Sequence, residues 1–156
     1  MEIRKAEAKD VEQILGLLSQ VLAIHAEIRP DIFNEGVTKY RKAEIEEMLV
    51  NETTPIYVAT EGDEVLAYAF CQIRVTKFPH LMKRKIAFHI DDFCVDEKHR
   101  RGHLGETLFQ YVKEEAIAHG CEEITLNCWE GNDAAKSFYE KMGLKTRSSI
   151  MECPIR

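Results

Sequence analysis

Hydrophobic positions along the chain switch between a spacing of two and a spacing of three to four, and the switches divide it into alternating strands and helices. Glu2 to Lys5 alternates as a strand. Asp10 and Gln13 form a capping-box pattern ahead of a helix with Val11, Ile14, Leu15, Leu18, Val21 and Leu22 on one stripe. Pro30 breaks the pattern, and Lys42 to Val50 resumes as a short helix with Ile45, Met48 and Leu49 inward. Pro55 to Thr60 and Glu64 to Val75 are rich in β-formers on either side of Glu61-Gly62-Asp63, which predicts a hairpin. After a polar loop from Thr76 to Arg84, the pattern predicts a strand over Lys85 to Val95. A helix from Gly102 or His103 to His119 follows, inward through Leu104, Leu108, Tyr111, Val112 and Ala116. Then come a strand over Glu122 to Cys128, a helix over Asn132 to Met142, and a final short strand or pair over Thr146 to Cys153. No repeat, linker or low-complexity segment interrupts this order, so residues 1–156 read as one α/β domain with α+β layering.

Composition narrows the classes. With 156 residues, 45% hydrophobic and 31% charged, the chain is large enough for one core. No apolar run long enough for a membrane span is apparent, and the charged start Met1-Glu2-Ile3-Arg4-Lys5 lacks a secretion-signal core, so a cytoplasmic location is expected. Cysteines 71, 94, 121, 128 and 153 are odd in number and lack Cys-x-x-Cys spacing, which suits small core residues better than a disulfide framework. His99 and His103 lie across a turn with no third ligand arranged beside them, so no metal is expected. A net charge of −6 opposes general nucleic-acid binding, whereas the basic cluster Lys98 to Arg101 on an acidic body suits one polyanionic ligand and a cationic partner.

That basic cluster belongs to the most informative segment. Val95 to Leu108 runs from a strand through Arg100-Arg101-Gly102-His103-Leu104-Gly105 into an amphipathic helix, where free amides, the helix dipole and two arginines meet. An ordinary helix start with exposed arginines fits the loop alone equally well. The Walker and dinucleotide-binding patterns are both absent. Downstream, Leu126 to Leu144 contains Asn132 or Asp133 as a helix cap, Ala135, Phe138 and Met142 on one face, the pair Phe138-Tyr139, and Gly143 suited to a left-handed helix end. The two segments in this order resemble the GNAT superfamily of acyl-CoA N-acyltransferases. Its diphosphate loop, Gln/Arg-x-x-Gly-x-Gly/Ala, is matched by Arg100-x-x-His103-x-Gly105, with histidine in place of the middle glycine. The close resemblance spans about Ile86 to Leu144.

The resemblance implies a single GNAT-like domain with a mixed, mostly antiparallel sheet, flanking helices and a splayed parallel strand pair. It implies acetyl-CoA as cosubstrate. Phe93, Cys94 and Val95 would hold the pantetheine arm and Arg100, Arg101, Gly102, His103, Leu104, Gly105 and Glu106 the diphosphate, with Asn132 close to the arm or the adenine. Tyr139 matches the family tyrosine that protonates the departing thiolate, with the capping of the core by its ring as the bland alternative. Asp91 matches the strand position of a carboxylate base in polyamine acetyltransferases, and Asp92 would face away if the strand is regular. Asn127 stands where N-terminal acetyltransferases carry their base; it and Glu130 are secondary acceptor-side candidates, with His25, Arg29, Asp31 and Phe33 from the interhelical region. Cys94 and Cys128 are poor nucleophile candidates because direct transfer is usual. The expected activity is acetylation of a primary amine on a small cationic molecule such as a polyamine or aminoglycoside-like compound. A peptide or protein N-terminus is one alternative, and a noncatalytic CoA-binding sensor or interaction module is another. The family's final strands also allow a homodimer; no nucleic-acid or membrane partner is expected.

Overall fold

In the computed structural model, which describes residues 1–156, a five-stranded sheet in the order β1-β2-β3-β4-β5 carries helices on both faces. The elements are β1 (Glu2–Lys5), α1 (Val11–Ile28), α2 (Lys42–Leu49), β2 (Ile56–Glu61), β3 (Glu64–Val75), β4 (Ile86–Val95), α3 (Leu104–Ala118), β5 (Glu123–Leu126) and α4 (Asp133–Lys141). The first four strands pair antiparallel, whereas β4 and β5 are parallel and joined across α3. Period-two alternation in β2 sends Ile56 and Val58 to one face and Tyr57 and Ala59 to the other. Two cores result: one under α1 and α2 with Ile14, Leu18, Ile45, Tyr68 and Phe70, the other under α3 with Phe88, Leu108, Phe109 and Val112.

Several local expectations change. Gln13 does not close a capping box; its amide reaches across to Asp63 and Val65, fixing α1 to the β2–β3 turn. Asp10 instead receives the Glu7 amide and a two-pronged contact from Arg4. Burial opposes its ionisation, but the hydrogen bonds and the guanidinium charge prevail and hold this carboxyl below the usual range. The segment Ala8–Ile28 is, contrary to the sequence reading, long and apolar enough to cross a membrane by length and composition. Its apolar face is accounted for by Val11, Ile14, Leu17, Leu18 and Ala26, which are buried in the fold.

The expected final strand over Thr146 to Cys153 is absent. Residues 145–156 make no backbone hydrogen bond and leave Ile150, Met151 and Ile155 at least 90% exposed. A strand needs a partner ladder, and the tail forms none, even with the open edge of β5.

The parallel pair that opens the site is anchored by a buried histidine. His89 lies opposite Thr125 and its Nδ1 is 2.9 Å from the Thr125 hydroxyl. Burial lowers its pKa from 6.5 to about 4, so the folded chain holds it neutral. Between those two pH values the unfolded chain binds a proton that the folded chain does not, so stability is lost as pH falls through this window. Urea midpoints measured from pH 7 to pH 4 are expected to reveal this loss, up to about 3 kcal/mol, with the slope reduced in His89→Gln.

Candidate active site

Strands β4 and β5 pair only from Ala87↔Glu123 to Ile90↔Leu126, and beyond Ile90 they separate. The open edge of β4 can be read from its other side. The Asp96 amide bonds the Leu66 carbonyl, so the alternation of backbone groups turns Cys94 toward β3 and Phe93 and Val95 away from it, into the splay. Phe93 and Val95 therefore lie as an extended ligand would need. Cys94 does not: its backbone faces β3 and its thiol lies 3.7 Å from the Leu17 carbonyl in the core under α1, where burial pushes the thiol up to about 12. This corrects its place among the cosubstrate contacts. The Val95 carbonyl already accepts from Arg100 Nε at 3.0 Å, which leaves the Val95 amide and both Phe93 groups as the free backbone of the splay.

The loop after β4 is pinned by Asp96, which accepts from Gln20 of α1 at 2.8 Å and contacts His99 at the same distance. The tight turn falls on Arg101, with φ 69°, and not on the neighbouring Gly102. A left-handed conformation in a residue with a side chain costs about 1 kcal/mol. It brings Arg100 and Arg101 to the surface just ahead of α3, whose first intrahelical bond, Thr107 to the His103 carbonyl, leaves the amides of Leu104, Gly105 and Glu106 unpaired. His103 takes the place before the helix with its side chain 88% exposed and leaning on Glu106, so the absent glycine does not obstruct the loop. Gly105 has a packing reason: a β-carbon there would sit 3.2 Å from the Phe138 ring, so glycine lets α3 and α4 close on the splay. Free amides, two exposed arginines and an unpaired strand edge fit the diphosphate and pantetheine of acetyl-CoA. A cleft of about 340 Å³ beside the loop, lined by Gln20, Glu27, Glu97 and Arg100, opens instead on the α1 side, where its carboxylates disfavour an anion.

Asn132 caps α4, accepting from the Ala135 amide at 3.4 Å. The preceding Gly131 has φ 97°, and a β-carbon would lie 2.8 Å from an Ile28 methyl, so a side chain there would strain the backbone and press on α1. α4 then presents Phe138 and Tyr139 to Phe93, at ring separations of 5.7 and 6.3 Å. Tyr139 is half-buried, and its hydroxyl, engaged by no group of the chain, keeps access to solvent. Burial, then the neighbouring Asp92 carboxylate, raises its pKa, so the phenol stays protonated.

The largest departure from a regular strand lies at Asp91. Phe70 pairs with Asp92 and Cys71 with Ile90, so Asp91 is an extra residue in β4. Phe88 and Ile90 before it face the core under α3, as do Phe93 and Val95 after it. The face therefore shifts by one residue, and Asp91 and Asp92 both turn toward α1 and α2. The expectation that Asp92 faces away is overturned by this bulge. Asp92 accepts from the Tyr68 hydroxyl at 2.9 Å, and burial raises its pKa. Asp91 accepts from the Tyr40 hydroxyl, whose own pKa is raised by burial and by this carboxylate. The Lys39 ammonium lies 3.5 Å from Asp91 and 3.7 Å from Asp92.

The remaining candidates divide. Phe33 packs between His25, tilted against it, and Trp129, edge-on to it, each at 5.1 Å between ring centroids, and burial lowers the His25 pKa. Arg29 and Asp31 pair with each other, and Arg29 also holds Glu152 of the tail, so both are committed to structure. Asn127 and Glu130 are exposed beyond β5, with Glu130 paired only to Lys136. Lys39, Tyr40 and Tyr68 were missed. The only signal for them was the pair of adjacent carboxylates in an otherwise apolar strand, which calls for a bulge and buried partners.

The Acetyltransferase (GNAT) family profile matches residues 20–144. Glucosamine 6-phosphate N-acetyltransferase of Arabidopsis thaliana is 26% identical over 153 residues, covering 96% of this chain and 93% of that protein. Among solved structures, a mutant of the BH1408 protein from Bacillus halodurans superposes with TM-score 0.95 at 29% identity over the whole of both chains. Aminoglycoside N-acetyltransferase AAC(6')-Iy in complex with CoA superposes at 0.75 with 15% identity over 99% of each. The profile covers most of the chain, and the chain belongs to the GNAT family of acetyltransferases as an N-acetyltransferase.

Proposed function

We propose that this enzyme transfers an acetyl group from acetyl-CoA directly to a primary amine of a small cationic molecule. The observation that carries the reading is the convergence of Asp91 and Asp92 on one ammonium beside the splay. Two carboxylates on one face attract a positively charged acceptor, and Asp91, the more accessible, takes its proton so that the nitrogen can attack. The free Phe93 and Val95 groups hold the pantetheine arm, and a backbone amide there polarises the thioester carbonyl. Tyr139, protonated and without a partner, donates to the departing sulfur. Cys94 and Cys128 take no covalent part. A polyamine or aminoglycoside-like amine suits this charge better than a phosphorylated amino sugar, since Asp91 and Asp92 repel a phosphate, Arg29 is already held by Asp31 and Glu152, and Lys39 is held by the two carboxylates. A peptide N-terminus has less support, because Asn127 cannot serve as a base. Release of CoA thiol from acetyl-CoA in the presence of spermidine, an aminoglycoside, glucosamine 6-phosphate or a short peptide tests the reading. Turnover of the first two above the others is expected, and preferential turnover of glucosamine 6-phosphate overturns the cationic class.

We also infer a homodimer. The tail after Leu144 runs beside β5, tied by Arg147 to Glu123 at its start and by Glu152 to Arg29 farther along, yet its backbone pairs with nothing and β5 is an open sheet edge. Two such tails related by a two-fold axis would each fill the space between the partner's tail and β5, satisfying both edges and covering Ile150, Met151 and Ile155. A chain ending at Leu144 is expected to sediment as a monomer while the full chain sediments as a dimer.

A further inference from the structure

The ammonium between Asp91 and Asp92 belongs to the chain itself. Lys39 lies in the irregular segment 29–41 between α1 and α2, and its Nζ also donates to the Asp91 carbonyl at 2.8 Å. Asp91 is the first residue beyond the last β4–β5 pair, so this nitrogen sits at the mouth of the splay. Asp92, one of its two carboxylate neighbours, also lies in the field of the Tyr139 hydroxyl. The side chain is 43% exposed, which leaves it room to move toward a bound thioester. A primary amine, a carboxylate to take its proton and a phenol to protonate the leaving sulfur are thus gathered in one chain.

We propose that Lys39 is itself an acceptor, and that the site acetylates its own lining segment. This rests on the transferase reading above. The Nζ lone pair forms a bond to the thioester carbonyl carbon and the carbon–sulfur bond breaks. Of the two protons lost by the ammonium, one passes through Asp91 to water. The other is balanced on sulfur, delivered by Tyr139, which is reprotonated from solvent. Lysine ammonium and acetyl-CoA thereby give N-acetyl-lysine, CoA thiol and one proton. The product amide carries no charge, so Asp91 and Asp92 lose the cation that neutralises them in the free chain. The acceptor site of the modified protein is more negative and open to a cationic amine.

The full chain is incubated with acetyl-CoA and no added amine, and each lysine peptide is weighed by mass spectrometry over time. Lys39 is expected to gain one acetyl group about tenfold or more faster than exposed Lys113, because the reacting groups are held in one molecule. The rate per chain is expected to be independent of protein concentration and to collapse in Tyr139→Phe, and Lys39→Arg is expected to leave the segment unmodified. An unmodified Lys39 in a protein that acetylates spermidine overturns self-acetylation and leaves the transferase reading intact. Equal, Tyr139-independent labelling of all lysines also overturns it, as uncatalysed chemistry. No acetylation of Lys39 or of any added amine, with acetyl-CoA bound, overturns both readings.

Discussion

Tyr139→Phe is expected to lower kcat by about 10²-fold, the usual scale for losing a positioned proton donor. The substitution removes one oxygen and keeps the ring that packs beside Phe93 and Phe138. Because the hydroxyl keeps access to solvent and is engaged by no group of the chain, its loss orphans no buried group, and a thermal melt should move little. Acetyl-CoA affinity measured by calorimetry should likewise hold, since the splay backbone and the loop amides are untouched. The pH profile separates chemistry from packing. Burial and the Asp92 carboxylate keep the phenol protonated well beyond its ordinary range, so any alkaline limb below that range arises elsewhere and should persist in the variant. A kcat within about twofold of the native value would remove Tyr139 from the mechanism, because positioned acids contribute far more than that.

Asp91→Asn carries the second large effect, a fall of about 10²-fold in kcat/KM for a cationic amine. The amide is the same size, still accepts from Tyr40, and cannot take a proton from the acceptor. It also removes one of the two negative charges facing the ammonium, so KM should rise along with the fall in kcat. Asp92→Asn is the comparison. Asp92 is the more enclosed carboxylate, with its side chain 7% exposed against 14% for Asp91, and it is held by Tyr68. Its loss is expected to raise KM with a smaller effect on kcat. The reverse result, with kcat falling mainly in Asp92→Asn, would transfer the role of base to Asp92.

Both variants depend on a feature that period-two reading hides. In an uninterrupted strand, adjacent aspartates point to opposite faces, and on that basis Asp92 was placed away from the site. One extra residue opposite Phe70 and Cys71 reverses this, and a bulge is set by pairing with a strand that lies about twenty residues away in sequence. Lys39 and Tyr40 were illegible for a related reason. They lie in a segment without periodic pattern, and only the packing of that segment over β4 gives them partners. The bend at Arg101 was likewise illegible beside Gly102, since φ freedom permits a left-handed residue without requiring it, and the loop's anchors at Asp96 and Val95 set its place.

What the sequence alone determined is local. The alternation of β2 and β3, the apolar stripes of α1 and α3, the Asn132 cap and the left-handed Gly143 each follow from neighbours a few residues apart, so the element order and the layered α/β fold were readable. The position of the amide-rich loop and of Tyr139 followed too, because both sit at the starts or faces of those elements. The tertiary structure decided which faces converge. The splay exists because β5 ends its pairing at Leu126, the carboxylate pair exists because β4 bulges against β3, and its cation arrives from a loop fifty-two residues earlier. The tail shows the limit from the other side: Thr146 to Cys153 reads as a strand, but a strand is completed by a partner edge, and the tail's backbone pairs with none.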